Sequence, residues 1–298
     1  MKLLTFDRGG TAVLGALVEG RIVALDRLGA RLPDTMEELL SGGEAAMEAV
    51  RAALWHARGE ADLADVRLLA PVRFPRKFLG IGFNYTSHVE EVRKKGIPIP
   101  DLSNQVWFNK QTSCITGPYD PMHLPAVSEQ FDYECELAVV IGRRCRHVAR
   151  EDAFKVIAGY MITNDASIRD WQMKAPTATL GKSFDTHGPV GPWLTTPDEV
   201  PDPHNLRIRT LVDGVVVQDG NTGEMVNRID EQIAYLTTVM TLEPGDILAT
   251  GTPHGVAAAG SPPTWLRAGQ VVRIEIEKLG HIENPVIAEP LDQTTFIA

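Results

Sequence analysis

The stretch FDYECELAVVIG, residues 131–142, narrows most what this chain can fold into. Asp132, Glu134 and Glu136 alternate with Tyr133, Cys135 and Leu137, and residues 138–141 then continue without a polar side chain. Successive side chains of a strand point to opposite faces, so this spacing puts three carboxylates on one face. Two readings follow. In one, the strand is half-exposed and the acids form its polar outer face. In the other, the acids are buried with the apolar run and need a cation, because unpaired buried charge is strongly unfavourable.

The rest of the chain is strand-rich. From residue 78 the apolar runs FLGIGF, VWFNK, CELAVVIG, VIAGYMIT, LRIRTLVDG, VVVQDG, DILATGT and QVVRIEIEKLG read as strands, and helical patterns are confined to about 85–95, 150–157 and 229–241. Asp213-Gly214 lies between two apolar runs, as in a tight hairpin, and RIEIEKLGHIENPVI reads as a second one. No regular alternation of strand and helix is present, which excludes a doubly wound sheet and favours a β-rich α+β fold, a mixed sandwich or roll. The first 72 residues read as a small α/β cap. Short strands meet at Gly9-Gly10 and Glu19-Gly20, and a helical segment is split at Gly42-Gly43. Prolines 71 and 75 place the boundary, with residues 73–298 forming the main domain.

Composition removes several classes of function. The net charge is −10, and the longest basic run is RKK at 93–95, so a nucleic-acid surface is not expected. No run of apolar residues is long enough for a membrane span, and Asp7 interrupts the N-terminus too early for a secretory leader. Three cysteines without CxxC spacing fit reduced thiols. A cytoplasmic protein acting on a small molecule is the expectation.

Four further segments can carry chemistry, each with a plain structural alternative. Asp165 ends an apolar strand where it can enter a cleft or cap the short helix of SIRDWQ. Lys182, among glycines and apolar residues, is either a surface charge or a cation beside the acids. The loop ATGTPHGV offers backbone N–H groups to an anion, a weak pattern shared by many loops. His88 and Glu91 share a helix face, so the carboxylate can orient the imidazole as a general base, although such pairs also occur on solvated helices.

In order, GFNYTSHVEE, WFNKQTS, DYECELAVVIG, GYMITNDAS…RDWQ, GKSFDTHGPVGP and DILATGTPHGV closely resemble the fumarylacetoacetate hydrolase family over residues 75–260. The resemblance implies that Glu134, Glu136 and Asp165 ligate a divalent cation. All-oxygen ligation favours Mg²⁺, then Mn²⁺ or Ca²⁺. Asp132 is left with a supporting role or a turn hydrogen bond. His88 and Glu91 match the water-activating pair, Lys182 the lysine that stabilises an enolate, and Thr252 the position that holds a substrate carboxylate. Substrate contacts from Asn84, Tyr85, Arg169 and Gly251, and a homodimer, are also implied. The chain departs from the family pattern at Gln111, where proline is common, at His187-Gly188 and in MKAPTATLGK, all of which bear on substrate choice.

The activity implied is hydrolysis of a carbon–carbon bond in a 2,4-diketo acid, an acylpyruvate or a fumarylacetoacetate-like acid, to a pyruvate-type keto acid and a carboxylate. Oxaloacetate decarboxylation and hydroxymuconate-type isomerisation use the same platform without an attacking water. A metal-binding protein without turnover is disfavoured by the presence of both the implied metal ligands and the implied base.

Overall fold

The turn residues of the first twenty positions set the topology around them. In the computed structural model, which describes residues 1–29, 31–96 and 98–297, β1 (Lys2–Arg8), β2 (Thr11–Val18) and β3 (Arg21–Ala24) form an antiparallel meander. Gly9 and Gly10 have φ of 63° and 87°, and Glu19 and Gly20 have 49° and 80°. Two consecutive positive values are what a two-residue hairpin requires. Helices α1 (Met36–Ser41) and α2 (Gly43–Leu54) follow, separated where the sequence predicts, with Gly43 at φ 62°. The Thr35 side chain accepts a hydrogen bond from the Glu38 amide and caps α1.

After the short strands β4 (Ala61–Asp62) and β5 (Leu68–Leu69), β6 (Phe78–Gly82) leads into α3 (Thr86–Lys94) and then β7 (Val106–Lys110). Next come β8 (Ile115–Thr116), β9 (Met122–Leu124), β10 (Phe131–Asp132), β11 (Cys135–Ile141), β12 (Ile157–Asn164), β13 (Ser167–Ile168), α4 (Arg169–Gln172) and β14 (Gly188–Thr195). The chain continues through β15 (Arg207–Val212), β16 (Val215–Asn221), α5 (Ile229–Val239), β17 (Ile247–Ala249), β18 (Val271–Ile276) and β19 (Gly280–Ala288). Helix was expected at 150–157; Arg150–Val156 forms a 3₁₀ helix.

The fold is a β-rich α+β architecture. A large mixed sheet runs β4-β3-β2-β1-β14-β12-β11-β17-β6-β7, and a five-stranded sheet runs β16-β15-β18-β19-β9. β1 pairs with β14 through Lys2↔Thr195 and Leu3↔Leu194, so the large sheet crosses residue 72 without a break. Leu3, Leu14 and Val50 share one apolar cluster with Ala138, Val140 and Val190.

The strand at the centre of the sequence reading differs from a half-exposed one. Every residue of β11 and β12 is buried, so both faces are covered and the apolar runs are nearly continuous. Cys135, Leu137, Val139 and Ile141 pack into one cluster while Ala138 and Val140 pack into another, which is the expected alternation. The three acids are not on one unbroken strand, however. β10 pairs with β13 and ends at Asp132, and β11 begins only at Cys135. At the break, the Glu134 amide donates to Asn164 Oδ1 (3.0 Å), and the Glu134 carbonyl accepts from the Asp165 amide (2.9 Å).

Candidate metal centre and base

Glu134, Glu136 and Asp165 meet where β11 and β12 end together, with Cys135 opposite Asn164 and Glu136 opposite Thr163. All three are buried, and one oxygen from each lies within 4.8 Å of the others. Asp132 stands apart. Its carboxylate accepts from the amides of Ala257 (2.7 Å) and Ala258 (3.0 Å) and from Arg169 Nε (2.8 Å), a supporting position. Asp165 does not cap α4, whose N-cap is Ile168.

Three cations answer these four carboxylates. Lys182 Nζ donates to Glu134 Oε2 and Asp165 Oδ2, both at 2.6 Å, and is itself buried, so it is a cation beside the acids and not a surface charge. Arg169 bridges Asp132 and Glu134, donating to Glu134 Oε1 at 2.6 Å. Lys110, at the end of β7, donates to Asp165 Oδ1 (2.7 Å) and to the His187 carbonyl (3.1 Å). Sequence reasoning gave Lys110 no role; a lysine closing an apolar strand was the available clue.

Glu136 is the carboxylate without a cation of its own; its hydrogen bond comes from the Gly251 amide (2.7 Å). Burial, with Asp165 and Glu134 adding negative charge, pushes its carboxyl well above the usual range. Burial opposes ionisation of Glu134 too, but Arg169 and Lys182 outweigh it and hold its carboxyl well below that range. Lys182 is raised, the charges of Asp165 and Glu134 overcoming its burial. Glu136 is thus left without a cation among three converging carboxylate oxygens, and this all-oxygen donor set suits a hard divalent cation, whose charge would favour the ionised form of Glu136.

The base side is built differently. His88 and Glu91 lie one turn apart on α3, with Nδ1 and Oε2 3.2 Å apart and both side chains partly buried. Glu91 Oε1 also accepts from the Gly255 amide (2.9 Å). The loop 250–255 therefore reaches Glu136 of the carboxylate cluster through Gly251 and Glu91 of the helix pair through Gly255. Thr252 lies between them, buried, its Oγ1 accepting from Gln218 Nε2 (3.0 Å). Gly251 is at φ 98°, and a Cβ there would meet Asn84 Cβ at 2.8 Å, so glycine is required.

Asn84 and Tyr85, expected at the substrate, are buried. Asn84 spends its amide on the Thr250 carbonyl (2.8 Å) and on Asn227, tying the entry of α3 to this loop. Tyr85 packs in the core cluster. His187, singled out as a departure, is sandwiched between Phe131 (ring centroids 4.3 Å apart) and Phe184 (5.5 Å). Burial drives its pKa down to about 3.

Residues 77–287 match the family described as Fumarylacetoacetate (FAA) hydrolase C-terminal. The chain belongs to the fumarylacetoacetate hydrolase family. Among its relatives is the mitochondrial oxaloacetate tautomerase of Xenopus laevis, 43% identical over 90% of this chain and 83% of that protein. Maleylpyruvate hydrolase from Sphingobium sp. SYK-6, solved with manganese(II) and pyruvate, is 36% identical with a TM-score of 0.80, covering 97% of this chain and 99% of the other. 2-Hydroxyhepta-2,4-diene-1,7-dioate isomerase from Mycobacterium marinum is 31% identical with a TM-score of 0.74, over 97% and 99%. Membership supports metal binding and small-molecule chemistry. No helix among the described residues is long and apolar enough to cross a membrane.

Proposed function

We propose that this protein is a metal-dependent hydrolase that cleaves the C3–C4 bond of a 2,4-diketo acid of the acylpyruvate class. The observation that carries the reading is the His88–Glu91 pair, held by Gly255 on the loop that also holds Glu136. Glu134, Glu136 and Asp165 would hold a divalent cation, Mg²⁺ or Mn²⁺, which would supply Lewis acidity to the keto acid. The manganese and pyruvate of the maleylpyruvate hydrolase structure favour this assignment.

Glu91 orients His88, which takes a proton from water as the water oxygen bonds to the 4-carbonyl carbon. The C3–C4 bond breaks, its electron pair passing to C3 as the pyruvate enolate, and the 4-carbonyl leaves as a carboxylic acid. Lys182, fixed between Glu134 and Asp165, offers positive charge to the enolate oxygen, and preorganised charge of this kind is where catalysis gains most. A proton returned to C3 gives pyruvate. Arg169 and the loop at Gly251 and Thr252 hold the substrate's carboxylates. The enzyme works as a homodimer, and residues 1–72 act as its cap.

A second reading rests on the tautomerase relative. Oxaloacetate tautomerisation moves a proton between C3 and the keto oxygen and needs enolate stabilisation but no attacking water. Decarboxylation of oxaloacetate shares that requirement. His88→Ala separates these activities. Acylpyruvate cleavage should fall by ~10²–10⁴-fold, whereas Lys182→Ala should depress cleavage and oxaloacetate enolisation alike. Cleavage by His88→Ala at near the parental rate would sink the water-activating role of His88, and a parent protein that enolises oxaloacetate but cleaves no acylpyruvate would favour the tautomerase.

A further inference from the structure

Gln218 lies on β16, an edge strand of the five-stranded sheet, and its side chain is buried. Its Oε1 accepts from the Cys135 amide (3.1 Å) and the Thr210 hydroxyl (2.8 Å). Its Nε2 donates to Thr252 Oγ1 (3.0 Å) and the Pro253 carbonyl (2.9 Å). The amide cannot be turned over. A backbone N–H can only donate and a carbonyl can only accept, so Cys135 fixes Oε1 and Pro253 fixes Nε2. Thr252 Oγ1 is therefore an acceptor from Gln218, and its own proton is directed elsewhere.

The approach of β16 to the loop is built into the backbone. A Cβ at Gly220 would meet Pro253 Cβ at 2.6 Å, and one at Gly255, φ 99°, would meet the Val217 carbonyl at 2.2 Å. Two glycines, one on each partner, let strand and loop touch on either side of Gln218. Cys135, the other end of the contact, lies between Glu134 and Glu136 in sequence.

We infer that Gln218 is a positioning residue that sets the loop 250–255 against the metal-bearing strand and orients the Thr252 hydroxyl as a donor to the substrate carboxylate. This rests on the proposed role of Thr252 and goes beyond it by naming what fixes that hydroxyl. Gln218 itself touches no substrate.

Oxalate, a rigid dicarboxylate, serves as the probe. Its affinity for the Mg²⁺-loaded protein is measured by calorimetry in the parent, Thr252→Ala, Gln218→Met and the double variant, with Mg²⁺ affinity measured alongside. Thr252→Ala and Gln218→Met should each weaken oxalate binding on the order of tenfold. The double variant should be no weaker than either single one, and Mg²⁺ affinity should stay near parental. A residue that merely supported the fold would give effects that multiply. Full oxalate affinity in Gln218→Met beside a weakened Thr252→Ala, multiplying losses, or a loss matched by lost Mg²⁺ affinity would each overturn the inference. Unchanged affinity in Thr252→Ala would instead remove the role of Thr252, and the inference with it. If Gln218→Met does not fold, Gln218→Glu keeps the acceptor for Cys135 and loses both donors, and the same cycle with Thr252→Ala is read in that background.

Discussion

The two halves of the candidate site are held by different kinds of structure. The carboxylate cluster sits at the shared end of two fully buried strands, with Lys110, Lys182 and Arg169 pinning it from several directions. The His88–Glu91 pair stands on a nine-residue helix, partly exposed, and its tie to the rest of the site is the Gly255 amide. Changes to the first half should therefore act on stability and on chemistry together. Changes to the second should act mainly on chemistry, because this half is a single His–Glu contact at 3.2 Å and not a network of buried ion pairs.

The largest effect is expected at Asp165, whose two oxygens are each held by a lysine. Asp165→Asn should lower turnover on the order of 10³-fold, the equivalent of about 4 kcal/mol of lost electrostatic stabilisation. Chelator should abolish parental activity and Mg²⁺ or Mn²⁺ restore it; full turnover in excess chelator would break the metal assignment. Next comes Lys110→Met, which leaves Asp165 buried without one partner. Urea unfolding of the metal-free variant should show a loss of about 3–5 kcal/mol, and saturating Mg²⁺ should recover part of it.

A smaller change is expected on the base side. Glu91→Gln should slow acylpyruvate cleavage ~10-fold, less than loss of His88, while urea stability moves by under about 1 kcal/mol. If Glu91→Gln destabilised the protein as much as Lys110→Met, the contrast between the halves would collapse. The last effect is confined to acid conditions and concerns His187, packed behind Lys110. Its Nε2 lies 2.7 Å from the His123 carbonyl, so that nitrogen carries the proton, and Nδ1 has no hydrogen-bond partner among the described residues. The unfolded chain takes up a proton near the ordinary histidine value of 6.5, whereas the folded chain refuses it down to about 3. Stability from this group is present above pH 6.5 and lost as pH falls toward 3, by at most about 1.4 kcal/mol per unit. His187→Leu should flatten that part of the acid-unfolding curve.

Features fixed by neighbouring residues were legible in the sequence. Asp213 and Gly214 have φ of 50° and 80°, matching the hairpin expected there, and α1 and α2 divide at Gly42-Gly43. Strand alternation alone misled at Asp132, because the break after it depends on Asn164 and Asp165, some thirty residues away. Lys110 and Gln218 escaped for the same reason. Their partners, Asp165 and Cys135, lie 55 and 83 residues from them, and nothing local marks either pairing. Convergence of the three carboxylates was reached through the order of several motifs, each too common to decide alone.

The pairing of β1 with β14 has a consequence for anyone shortening this chain. A protein started at residue 73 would leave the Leu194–Thr195 end of β14 without its β1 neighbour and uncover Ala138, Val140 and Val190, which now pack with Leu3 and Leu14. An open, apolar strand edge recruits other chains, so the expected fate of the shortened protein is self-association through that edge before any loss at the active centre could be measured.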